Sequence, residues 1–207
     1  MNPSPVHVLI AAKPLWSNQN HLMRRSSMLM KRIFKVLIAG WVVAMALSST
    51  VRADEPQMPP DNSSAELERI KGLAGRWTST TSMFGKPNER VYTEFEVTAG
   101  GSAVLERIFP GTPQEMISVY YDDKGKLAMT HYCIMRNRPS LKLVDSSQDT
   151  ITMDVTKVEG LKSKNDPSMG AVTIHFKDKN HFESTCRSRG KGAEKEAPMT
   201  MEFTRVK

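Results

Sequence analysis

The run Leu127 to Pro139, LAMTHYCIMRNRP, sets His131, Tyr132 and Cys133 side by side in a stretch that otherwise alternates like a β-strand. An imidazole and a thiol on one wall admit three chemistries: a nucleophile with its base, a pair of metal ligands, or polar contacts to a ligand's head group. Side chains alternate along a strand, so His131 shares a face with Met129 and Cys133, and Thr130 and Tyr132 take the other. Leu127 and Met129 favour His131 and Cys133 pointing inward. Two residues apart on one strand, their Cβ atoms stand about 6–7 Å apart, too far for direct proton exchange. No acid is placed by sequence to orient the imidazole. His175 and His181 form no ligand-spaced cluster with each other or with His131. The trio therefore reads first as structural, with His131 satisfied by a hydrogen bond inside a partly polar cavity, next as groups that contact a ligand's polar head, and least as a catalytic set. No catalytic residue, metal or cofactor is expected.

Other side chains suit the same cavity. Met116, Met129, Met135, Met153, Met169, Met199 and Met201 fall in or beside strands; ordinary core filling is the leading reading of them, and flexible thioethers also line adaptable apolar pockets. Phe95, Phe109, Phe182 and Phe203 fall on presumed inner faces, and Tyr120 on the strand EMISVYY joins them. Arg107 is in phase with Leu105 and Phe109, which would point it inward, where it needs a partner or a ligand carboxylate. Arg205 is in phase with Met201 and Phe203 but is expected at the rim, in water. The ligand-contacting set is thus His131, Cys133, Met129, Arg107, Phe95 and Tyr120. Cys133 and Cys186 are the only cysteines. An exported chain with an even count invites a disulfide, but the two fall on strands that are not neighbours in a closed barrel, which favours free, buried thiols.

The elements that must hold these residues are short strands. AELERIKGLAG has helical spacing at Leu67, Ile70 and Leu73, with Ser64 to cap it and Gly72 or Gly75 to end it. From Arg76 onward the period alternates. About ten strands follow, joined by short turns, with Asp122-Asp123-Lys124-Gly125 the clearest hairpin and GKGAEKEAP a charged loop before the last strand. Short connections force antiparallel neighbours, and so many strands must close or stack. An all-β, up-and-down antiparallel barrel with one short N-terminal helix is predicted, a β-sandwich being the alternative.

The first 65 residues stand apart. The chain carries 29 Lys+Arg against 22 Asp+Glu, a formal charge of +7 over 207 residues. Seven of the basic residues precede Asp54, the first acid, so the rest of the chain is neutral overall. That removes the case for nucleic acid. MKRIF, KVLIAGWVVAMAL and SSTVRA have the layout of a signal peptide cut after Ala53. The apolar part is shorter than the roughly 20 residues of a spanning helix; a retained anchor is the alternative. Translation starts at Met1 or at Met30. The domains expected are a leader (1–53), a disordered spacer (54–65) and a barrel (66–207). The mature protein is expected to be exported, periplasmic or extracellular, with no stable membrane insertion after cleavage and an open oligomeric state.

Two motifs carry a family resemblance. LAGRW, Leu73 to Trp77, resembles the Gly-x-Trp opening of lipocalin and calycin barrels. The series GGSAVLERIFPGTPQEMISVYYDDKGKLAMTHYC, Gly100 to Cys133, resembles an uncharacterised group of bacterial calycin-like domains with a Phe-Pro-Gly-Thr-Pro turn and a Thr-His-Tyr-Cys strand. The likeness extends over Leu73 to Val144. Arg136 and Arg138 stand where the group more often has Gly and Gln, and Cys186 has no counterpart. The resemblance implies a barrel with a central cavity and no assigned activity. Distant relatives include fatty-acid carriers and haem-binding nitrobindins. A haem protein of that kind would use His175 or His181, but both are in phase with outward positions. The expected function is binding of a small apolar or amphipathic ligand in the barrel. The alternatives are an enzyme or haem protein using His131 and its neighbours, and a structural or partner-binding domain with a filled core. A cavity of roughly 300 Å³ or more favours binding.

Overall fold

The computed structural model describes residues 59–207, so the leader, the choice of start and the first part of the spacer (54–58) lie outside the described residues. Helix α1 (Ala65–Lys71) is followed by ten strands: β1 (Gly75–Thr81), β2 (Glu89–Thr98), β3 (Ala103–Ile108), β4 (Met116–Asp123), β5 (Lys126–Tyr132), β6 (Arg138–Ser146), β7 (Thr150–Glu159), β8 (Ser168–Asp178), β9 (His181–Arg189) and β10 (Met199–Arg205). Every strand pairs antiparallel with its sequence neighbours, and β1 pairs with β10 to close the barrel. The sandwich alternative is excluded. No described helix is long and apolar enough to cross a membrane.

The hairpin at β4–β5 shows how local chemistry sets register. Lys124 (φ 54) and Gly125 (φ 75) are both left-handed, the requirement of a two-residue type I′ turn, whose twist matches that of the strands. Asp123 then faces Lys126, and counting five residues outward along both strands pairs Ser118 with His131.

The two ends of the barrel differ. One is plugged by α1, whose Leu67 and Ile70 are 1% and 0% exposed. Ser64 caps the helix by accepting from Leu67 N at 3.1 Å and donates through Oγ to Asp122 Oδ1 at 2.7 Å, tying the helix to the end of β4. Trp77 is fully buried beneath it, donating Nε1–H to Leu73 O at 2.7 Å and meeting Phe182 edge-on at 4.8 Å. Arg205 stands at the rim as expected and is half-exposed, but it is tied down there. Its guanidinium lies 4.1 Å over the Trp77 ring. It donates to the carbonyls of Ala74 (2.6 Å), Gly72 (2.9 Å) and Lys179 (3.0 Å). It is the clamp that shuts this end.

Two seams in the wall are short. Strand β1 meets β10 only at Trp77–Arg205 and Thr78–Thr204, next to the plugged end. Strand β5 meets β6 only from Ala128 to Thr130. Continuing that register would set His131 opposite Pro139, which has no N–H to donate.

Candidate functional site

The interior splits into a packed floor and a cavity of about 250 Å³. The floor is aromatic: Phe182 stacks on Phe203 at 4.6 Å and meets Phe95 edge-on at 5.9 Å. Beyond it, toward the end opposite α1, the cavity reaches a mouth framed by Met83, Phe109, Ile134, Met135 and Met199.

Four of the six predicted site residues line this cavity: Met129, His131, Cys133 and Tyr120. The phase assigned to β5 holds, with His131 2% exposed and Tyr132 48% exposed. Phe95 is buried in the floor beneath the cavity instead of lining it. Arg107 is a correction. Its side chain is on the outer face, exposed, and paired with Glu115 Oε1 at 3.1 Å. The apparent in-phase series Leu105–Arg107–Phe109 fails because Phe109 (φ 56) lies past the end of β3, where the chain has already turned. The inward series on β3 is Val104, Glu106 and Ile108.

Glu106 is the residue that sequence reasoning missed. Antiparallel register sets Phe95 opposite Glu106, Glu106 opposite Ser118, and Ser118 opposite His131, one row across β2, β3, β4 and β5. Tyr120 OH donates to Glu106 Oε2 at 2.9 Å, and Thr93 Oγ1 lies 3.3 Å from Oε1. Burial raises the Glu106 pKa, opposed by the hydroxyls of Tyr120, Ser118 and Thr93. Tyr120 is raised well above its usual range, first by burial and then by the Glu106 charge, so at neutral pH it is a phenol that donates. Ser118 Oγ sits 3.0 Å from His131 Nδ1. Burial pushes the imidazole down to about 4, so His131 is neutral at physiological pH.

A serine, a histidine and a glutamate in one row invite comparison with a nucleophile triad, but the order is wrong. A triad needs the acid on the imidazole, holding it while the other nitrogen takes the serine proton. Here Ser118 stands between the imidazole and the acid and is 1% exposed. The row is a buried hydrogen-bond network, polar on a wall that is otherwise apolar.

His175 and His181 face outward, bonded to Asp149 (3.3 Å) and Asp178 (2.9 Å), so neither reaches the interior. Cys133 and Cys186 are free thiols, four strands apart in the wall yet lining the same cavity. Among the described residues no group of three or more His, Cys, Asp or Glu is placed to hold a metal. One further polar atom is exceptional. Ser168 Oγ, on a cavity-lining residue 4% exposed, has no hydrogen-bond partner. No family model matches the chain, and no curated protein matches it.

Proposed function

We propose that this protein is an exported calycin-like carrier, a member of the uncharacterised group its Gly100–Cys133 segment resembles, and that it holds a small uncharged amphipathic molecule in the barrel. The observation that carries the reading is the cavity. It is apolar around most of its wall, with Glu106, Ser118, Tyr120 and His131 on one side and an unpaired Ser168 hydroxyl in its lining. A buried hydroxyl without a partner is costly unless a water or ligand group satisfies it. At about 250 Å³ the cavity lies just under the ~300 Å³ at which small-molecule pockets begin, which suits a short ligand over a long acyl chain.

The lining also bears on charge. No Lys or Arg lines the cavity, so a ligand carboxylate would be desolvated beside a carboxyl with nothing to pair it. The fatty-acid style of recognition, with an inward arginine, has no support once Arg107 is outside. An alcohol or similar neutral donor can donate a hydrogen bond to Glu106 and leave its chain among the methionines and Phe203.

Octan-1-ol and octanoate at neutral pH test this, read by NMR of methionine methyl groups. Octan-1-ol is expected to shift the Met129 and Met201 signals saturably, with octanoate at least about tenfold weaker; Ser184→Phe, which fills the cavity, is expected to abolish the shifts. Unmoved methionine signals, or equal shifts in Ser184→Phe, would overturn the carrier reading. Equal binding of octanoate would overturn the charge argument.

A further inference from the structure

The cavity lining has a composition that an apolar pocket does not require. Of the eight methionines in residues 59–207, seven line it, Met153 being the exception, and both cysteines do. The same span holds 22 Leu, Ile and Val, of which only Ile108, Ile134 and Val172 reach the cavity. Gap-filling accounts for a methionine here and there; it does not account for nine of ten sulfur side chains facing one void while the branched aliphatics are elsewhere.

The sulfurs at the mouth are also paired. Met116 and Cys133 flank the β4–β5 ladder, with Cys133 Sγ 4.0 Å from Met116 Sδ. Two sulfur ligands that far apart, each about 2.3 Å from one ion as thiolates are from zinc, subtend roughly 120° at it. On the other wall Cys186 of β9 is directly opposite Met199 of β10, the register at which cross-strand side chains touch. The two pairs face one cavity.

We propose that the mouth of the barrel binds one soft monovalent cation, Cu(I) or Ag(I), between the Cys133–Met116 and Cys186–Met199 pairs. Thioether and thiolate sulfur select Cu(I)-type ions over the hard and borderline cations that carboxylate and imidazole sites hold. The absence of three clustered His, Cys, Asp or Glu therefore does not bear on such a site, and the expectation of no metal gives way to this reading. No Lys or Arg lines the cavity to repel a cation. Each thiol that ligates the ion releases its proton to solvent, and no electron is transferred. The site does not depend on an organic ligand being bound.

The test is native mass spectrometry of the reduced, desalted barrel-bearing chain titrated with silver nitrate, with methionine methyl NMR alongside. One Ag(I) is expected to bind and to shift the Met116 and Met199 signals. Because even outer-shell partners of a metal are worth about 10–100-fold in affinity, Cys133→Ser with Cys186→Ser is expected to lose about a hundredfold or more. Met116→Leu with Met199→Leu, with the thiols intact, is expected to lose about tenfold. Competition with a Cu(I) chelator is expected to rank Cu(I) with Ag(I). No adduct, or an adduct unchanged in the double serine variant, would overturn the proposal. Two titrations of the unaltered chain keep the readings apart: octan-1-ol binding without metal reports on the carrier role, and silver binding without octan-1-ol reports on the metal site.

Discussion

His131 shows how much a single buried group can couple to solvent conditions. Its folded pKa of about 4 lies below the ordinary 6.5. As pH falls through 6.5 the unfolded chain takes up a proton that the folded chain refuses, so stability drops between about pH 6.5 and 4. The full window corresponds to about 3 kcal/mol. His131→Gln is expected to flatten this part of a urea-denaturation pH series; an unchanged slope would show that the imidazole is hydrated when folded. Glu106 works in the opposite sense. Its raised pKa makes the folded state the better proton binder, so its contribution declines as pH rises through that value, and both proteins keep this trend. Arg205 makes a second residue-level case. Removing it strands three carbonyls and a ring face, and Arg205→Ala is expected to cost about 2 kcal/mol in urea denaturation. Arg205→Lys is expected to recover less than half, because an ammonium cannot reach all three acceptors at once.

At the scale of elements, the turn after β5 ties sequence to site. Arg136 adopts φ 63, and Arg136 N returns to Cys133 O at 2.9 Å while Cys133 N donates to Asn137 O at 3.1 Å. This tight turn is what holds Cys133 at the mouth. A non-glycine in the left-handed region costs about 1–2 kcal/mol, partly offset by the freedom glycine would have when unfolded. Arg136→Gly is thus expected to stabilise the protein by about 0.5–1 kcal/mol in thermal or urea unfolding. A loss would show that the arginine side chain does more than tolerate its backbone. Most elements were legible in the sequence: the Ser64 cap, the alternation of β2 and the Lys124-Gly125 turn each rest on local chemistry. The site was legible only in part. The phase of β5 could be read because Leu127 and Met129 share a face with His131. The phase of β3 could not, because Leu105, Arg107 and Phe109 imitate an apolar face until the backbone at Phe109 is known. Glu106 reads as a solvent residue unless the register of three strands is combined, which brings Ser118 beside it and Tyr120 within reach.

At the scale of the whole molecule, the two short seams divide the wall into two runs of five strands, β1–β5 and β6–β10; the β1–β10 pairs lie next to the end that α1, Trp77 and Arg205 close, and the β5–β6 pairs lie mid-strand. Hydrogen exchange is expected to report this. Amides of β10 from Met199 to Met201 that point toward β1 should exchange far sooner than those locked in the β8–β9 ladder. Uniform protection around the ring would contradict a divided wall. On the carrier reading, parting of the strands at these two short seams would widen the way into the cavity. Cys133 and Met116 belong to the first run and Cys186 and Met199 to the second, so an ion held as proposed between them would tie the two runs together across the mouth and slow the escape of anything inside.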